Sequence, residues 1–161
     1  MEKELRRSQV SLVTLGSGVI LFGVWSVIKS LLYFQTGLFN DLDKQVEPEL
    51  LPTIKFITIA LVALIVLVDL GFRLKIGRRA RAEGMGRRQK SGYLILAVLI
   101  VLVNLAVEVF SLYNLVNNGL AEQSAFESTV TLVVDLSANI LLIELIVTAL
   151  HVRKLRAMSE G

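Results

Sequence analysis

Residues Gly92 to Asn117 read GYLILAVLIVLVNLAVEVFSLYNLVN. From Leu94 to Val103 every side chain is apolar, and only Asn104 and Glu108 interrupt the run before Phe110. A bilayer core is about 30 Å thick, and a helix crosses it with about 20 mostly apolar residues. The stretch has that length. The β-branched content would suit a buried strand, but such strands run only about 4–8 residues. A membrane barrel would show short alternating segments, and none occurs. The stretch is therefore expected to be a membrane-spanning helix.

Three more stretches satisfy the same criterion: 9–34, 53–72 and 128–151. The first has too long an apolar run for a cleaved signal and no small-residue cleavage site after it. Composition agrees with four spans. Of 161 residues, 54% are hydrophobic and 19% charged, and mean hydropathy is +0.67. That balance excludes a disordered chain. The absence of Cys excludes disulfides, thiolate metal sites and thiol nucleophiles. The expected fold is an all-α integral membrane protein, a single domain over residues 1–161. Short connections imply an up-down-up-down bundle of four antiparallel helices.

Charge placement orients it. Fourteen of the 17 basic residues fall in three regions. These are Lys3, Arg6 and Arg7 at the start, eight residues between Arg73 and Lys90, and Arg153, Lys154 and Arg156 at the end. The positive-inside rule puts both termini and the 73–91 connection in the cytoplasm. Small size and compact loops point to a cell (plasma or inner) membrane as the expected location. Glycines at 77, 84, 86 and 92 are expected to break any helix in that connection. Its Arg78, Arg79, Arg81, Arg87, Arg88 and Lys90 are expected to contact anionic headgroups. No aromatic residue interleaves these charges, so a nucleic-acid partner is not expected. The first outer connection carries Asp41, Asp43, Glu47 and Glu49, with apolar residues spaced for a short surface helix ending before Pro48. Pro52 suits the start of the second span.

Ionisable groups inside a span are costly and therefore informative. Lys55 is close enough to the outer end to snorkel. Asp69 precedes Arg73 by four residues, the spacing of a helical ion pair. With Glu144 and His151 these two are expected to form an inner cluster, Thr148 lying on the Glu144 face.

The deeper set is Lys29, Asn104, Glu108, Asp135 and Asn139. Asn104 and Glu108 share a helix face, as do Asp135 and Asn139. Counted from Gly92 and His151, both carboxylates lie about 24 Å and both amides about 18 Å from the inner side. In antiparallel helices Glu108 thus falls level with Asp135, and Asn104 with Asn139. Lys29, one turn from Trp25, can reach that layer. One Lys cannot neutralise two adjacent carboxylates, so one acid would hold a proton.

Two readings of the layer stay open. In one it specifies helix pairing in a structural or accessory protein, associated with a second copy or a larger membrane partner. In the other it is the site of a proton- or cation-coupled transporter or channel subunit. No catalytic set is found: there is no H-E-x-x-H, no G-x-S-x-G elbow and no P-loop. The lone His151 offers no metal site, and neither an enzyme nor a cofactor is expected. A voltage sensor would need regularly spaced basic residues in the last span, which has none before Arg153.

Overall fold

In a computed structural model the described residues, 2–36, 50–117 and 122–160, are helical apart from residue 50 and the 85–91 connection. Four helices follow one another: α1 (Glu2–Thr36), α2 (Leu51–Gly84), α3 (Gly92–Asn117) and α4 (Glu122–Glu160). All four contain a stretch long and apolar enough to cross a membrane. At 35, 34 and 39 residues, α1, α2 and α4 exceed the need of a bilayer core, so their charged ends extend beyond the apolar part. The surface helix expected before Pro48 lies outside the described residues, as do Asp41, Asp43, Glu47 and Glu49.

The basic segment is corrected here. It is not a loop from Arg73, because α2 continues through Gly77 to Gly84 and leaves only residues 85–91 as connection. Helical glycine costs about 1 kcal/mol relative to alanine. Close packing offsets that cost. A Cβ added at Gly16 of α1 would stand 2.8 Å from the Gly77 carbonyl oxygen, and one at Gly84 would stand 2.7 Å from the Gln9 carbonyl oxygen. These glycines are where two helix backbones touch, as small residues allow.

The helix ends one step later. The Arg87 N–H donates to the Ala82 carbonyl and the Gly86 N–H to the Glu83 carbonyl, with Gly86 left-handed at φ 92°. This is a Schellman cap, and its αL position favours glycine. Ser91 opens α3, its carbonyl accepting from the N–H groups of Leu94 and Ile95.

The chain divides into two compact units. The first comprises Met1–Val19 and Lys75–Gly161. Its core draws on every helix: Leu12 and Val19 from α1, Ile76 and Ala80 from α2, Ala97 and Ile100 from α3, Leu142 and Leu145 from α4. Contacts within it set direction. Gly16 meets Gly77 while Gln9 meets Gly84, so α1 and α2 are antiparallel there. Asn104 meets Asn139 while Ser91 meets Arg153, so α3 and α4 are antiparallel. Gly18 of α1 packs on Leu141 of α4. The second unit, Ile20–Leu74, holds the rest of α1 and α2, which touch where Gly23 faces Leu70 and Arg73.

Candidate functional site

Two polar groupings stand out in the first unit. The first lies between α3 and α4. Asn104 and Glu108 are one turn apart on α3, so both side chains face Asn139. The Asn104 Nδ2 donates to the Asn139 Oδ1 at 3.0 Å, and the Asn139 Nδ2 donates to the Glu108 Oε1 at 2.5 Å. Glu108 is 6% exposed and Asn139 1%. A primary amide carries both donor and acceptor, so one residue serves two partners.

Of the expected layer, Asn104, Glu108 and Asn139 meet directly, with Asn139 as the bridge between the other two. Asp135 lies one turn nearer the start of α4, half-buried and with a polar partner of its own. Lys29 belongs to the second unit, where it is half-buried and also partnered.

The expected inner cluster is found in part. Arg73 is buried, and its Nε donates to both Asp69 oxygens at 2.8 and 3.1 Å. Glu144 and His151 are exposed, and among the described residues neither makes a side-chain hydrogen bond or ion pair. The reason is helical phase. On α4 the buried positions are Ala138, Leu142, Leu145, Ala149 and Val152, and positions 144 and 151 fall outside that arc.

Of the basic residues expected at headgroups, Arg78, Arg87, Arg88 and Lys90 are exposed. Arg79 is half-buried, and so is Arg81, whose side chain packs over Gly16.

The second grouping escaped the sequence reading. It centres on Glu83, 1% exposed, at the end of α2. Arg153 grips it with two donors, Nε to Oε1 at 2.6 Å and Nη2 to Oε2 at 2.9 Å. The Tyr93 hydroxyl donates to Oε2 at 2.6 Å, and the guanidinium lies 5.7 Å from the Tyr93 ring centroid. Arg153 also donates to the Ser91 hydroxyl at 2.7 Å and the Gln89 carbonyl at 3.1 Å. Arg156 reaches the Glu83 carbonyl at 2.7 Å.

Glu83, Arg153 and Tyr93 thus tie together the end of α2, the connection, the start of α3 and the end of α4. Bidentate charge-assisted bonds of this kind compensate a carboxylate for its burial. One signal was available: Glu83 is the sole acid among the basic residues from Arg73 to Lys90. Its partner, 70 residues away, carries no such mark.

Among the described residues no three His, Asp or Glu side chains are grouped to hold a metal ion. A surface cleft of about 370 Å³ lies between Arg6, Gln9 and Val13 of α1 and Gly84–Gly86, at the capped end of α2 and away from the Asn139 layer. What the arrangement does chemically is join helices through hydrogen bonds and an ion pair between them, with the Glu108 Oε2 and Arg81 Nε buried and making no hydrogen bond among the described residues. No family model matches the chain, and neither a curated protein nor a solved structure matches it.

Proposed function

We propose that the chain is an integral membrane protein with both termini in the cytoplasm, acting as a helical scaffold or as an accessory subunit of a membrane complex. The distribution of side chains supports the membrane reading. Large apolar residues such as Leu64 and Leu67 on α2 and Leu102 and Phe110 on α3 are exposed, while Glu83, Glu108 and Asn139 are buried. Such an exterior is favourable in lipid and costly in water. The exposed Arg87, Arg88 and Lys90 then meet anionic headgroups at the cytoplasmic face, each worth about 1 kcal/mol near the surface.

The observation that carries the structural role is the Asn104–Asn139–Glu108 chain. With the Glu108 Oε2 buried and making no hydrogen bond among the described residues, it joins two helices through hydrogen bonds from Asn104 to Asn139 and from Asn139 to the Glu108 Oε1. That is how polar residues specify which transmembrane helices pair. A transport site needs these groups turned toward a path open to water.

Reconstitution into liposomes tests the role. Wild type and the double variant Glu108→Gln plus Asp135→Asn are compared for proton and monovalent-cation flux. Neither is expected to exceed empty liposomes. Flux in wild type that disappears in a folded double variant would establish a transporter instead.

A further inference from the structure

The outward face of α4 carries a carboxyl group where lipid should be. Glu144 is exposed and has no hydrogen bond or ion pair among the described residues. The other acids of the apolar stretches are engaged: Asp69 by Arg73, Glu108 by Asn139, and Asp135 by a partner of its own.

Snorkelling does not relieve Glu144. Arg153 reaches the 85–91 connection, through Gln89 and Ser91, and so marks the inner edge. Glu144 lies nine residues before it, about 14 Å into a core about 30 Å thick. Side chains on a helix lean toward its N-terminus. On α4 that direction leads away from the inner edge and toward mid-membrane. An acid at that depth is costly unless something polar meets it.

The neighbours of Glu144 describe what meets it. Ser137, Ile140, Glu144, Val147 and His151 are all exposed. Their spacing alternates three and four residues, the a and d repeat of a helix seam. The three polar residues recur every seventh position, with an apolar residue between each pair. The three-four spacing is shared by any exposed helix face; what distinguishes this line is the recurrence of polar residues at every seventh position. The inward seam at Ala138, Leu142, Leu145, Ala149 and Val152 has the same period and lies on the opposite side of the helix.

We propose that two copies of this chain pair in parallel along the outward α4 seam. Glu144 and His151 each meet their counterpart, with Ile140 and Val147 packed against these layers; Ser137, whose hydroxyl donates to the Val133 carbonyl of its own helix at 2.8 Å, lies on the same line as a small residue. Two copies inserted the same way present identical residues at identical depth, so each polar layer finds its match without a shift in register. The two Glu144 side chains meet across the seam, each giving the other the polar partner that lipid lacks. A polar a position fixes register in parallel helix pairs in the same way. The inference rests on the membrane reading above. Extraction by alkaline carbonate would undo that reading, whereas a monomer retained in the bilayer would undo only the pairing.

The chain has no Cys, so single cysteines report cleanly. Ile140→Cys and Val147→Cys lie on the seam. Ile143→Cys and Leu150→Cys are exposed at other angles of the same helix. In liposomes under mild oxidation, the two seam variants are expected to give disulfide-linked dimers and the two controls are not. In parallel, energy transfer between labelled copies is followed as protein is diluted in lipid. Glu144→Leu is expected to weaken association about tenfold, and Glu144→Gln, which keeps a hydrogen-bonding group, by less than about threefold. Equal crosslinking at all four positions, crosslinking at none, or undiminished association of Glu144→Leu would each overturn the proposal. The cysteine pattern decides the matter if Glu144→Leu fails to insert.

Discussion

Replacing Arg153 by Met removes the cation from the Glu83 carboxylate while keeping most of the side-chain volume. Glu83 would keep the Tyr93 hydroxyl but lose two charge-assisted bonds at 2.6 and 2.9 Å, with its side chain 2% exposed. Stranding a buried charge in this way costs about 3–5 kcal/mol. The Arg153 side chain is 26% exposed, so water screens part of the interaction and the lower end of that range applies. We therefore expect a loss of about 3 kcal/mol, more than a hundredfold in the folding equilibrium.

Glu83→Gln alone should also destabilise, since its amide NH₂ would face a guanidinium that only donates. The double variant should recover a substantial part of the summed loss, because neither charge is then left alone. The assay is unfolding in detergent micelles, followed by circular dichroism, for wild type, both single variants and the double variant. A coupling energy of at least about 1.5 kcal/mol is expected, the scale of a contacting charged pair. Arg153→Lys should fall between wild type and Met, since a lysine cannot hold both carboxylate oxygens and Ser91 in one plane. Single variants that lose less than about 0.5 kcal/mol, with additive effects in the double, would mean that the clamp does not hold these helices together.

Two further outcomes follow from the packing. Gly84→Ala would place a methyl group 2.7 Å from the Gln9 carbonyl oxygen, and should cost about 1–3 kcal/mol by the same unfolding assay. Gly71→Ala, with nothing within 4 Å of the new Cβ, should be neutral or stabilise by up to about 1 kcal/mol; equal effects at the two positions would deny the close approach of α1 and α2. Asn139→Leu breaks two interhelical hydrogen bonds, one from Asn104 and one to the buried Glu108, an expected loss of about 1–3 kcal/mol. Asn104→Leu should cost no more than about 1 kcal/mol, since Asn139 then keeps its bond to Glu108; the reverse order would show that Asn139 is not the bridge.

The four apolar helices were legible in the sequence because length and hydropathy are local quantities. The third stretch, Gly92 to Asn117, coincides with α3 at both ends. The others were read short, as apolar runs, whereas the helices continue into charged segments. Helix propensity persists through Arg, Lys, Glu and Ala, and nothing in the 73–84 run stops it once Gly77 and Gly84 are contact points. Reading those glycines as breakers weighed local cost alone. Their role appears only when α1 is seen lying against them.

The deep polar layer was legible in the same measure. Spacing by four on each helix and equal depth brought Asn104, Glu108 and Asn139 together on paper. One-dimensional depth leaves an uncertainty of about one turn, so it could not single out Asn139 as the residue that bridges Asn104 and Glu108. Glu144 was legible as an ion within a span, but its side of the helix was not. That depends on which arc of α4 the other helices cover, and Leu142, Leu145 and Ala149 claim the opposite one.

Composition, four long apolar runs and the segregation of basic residues are properties of the chain taken in order. They determined an all-helical protein with four helices able to cross a membrane, and where its polar groups lie along each helix. Tertiary structure alone decided which polar groups meet. Arg153 and Glu83 are 70 positions apart, and only helix packing places them at 2.6 Å. The physical reason is range. Hydrophobicity acts along a segment, whereas a hydrogen bond depends on tenths of an ångström between segments that the sequence does not order in space.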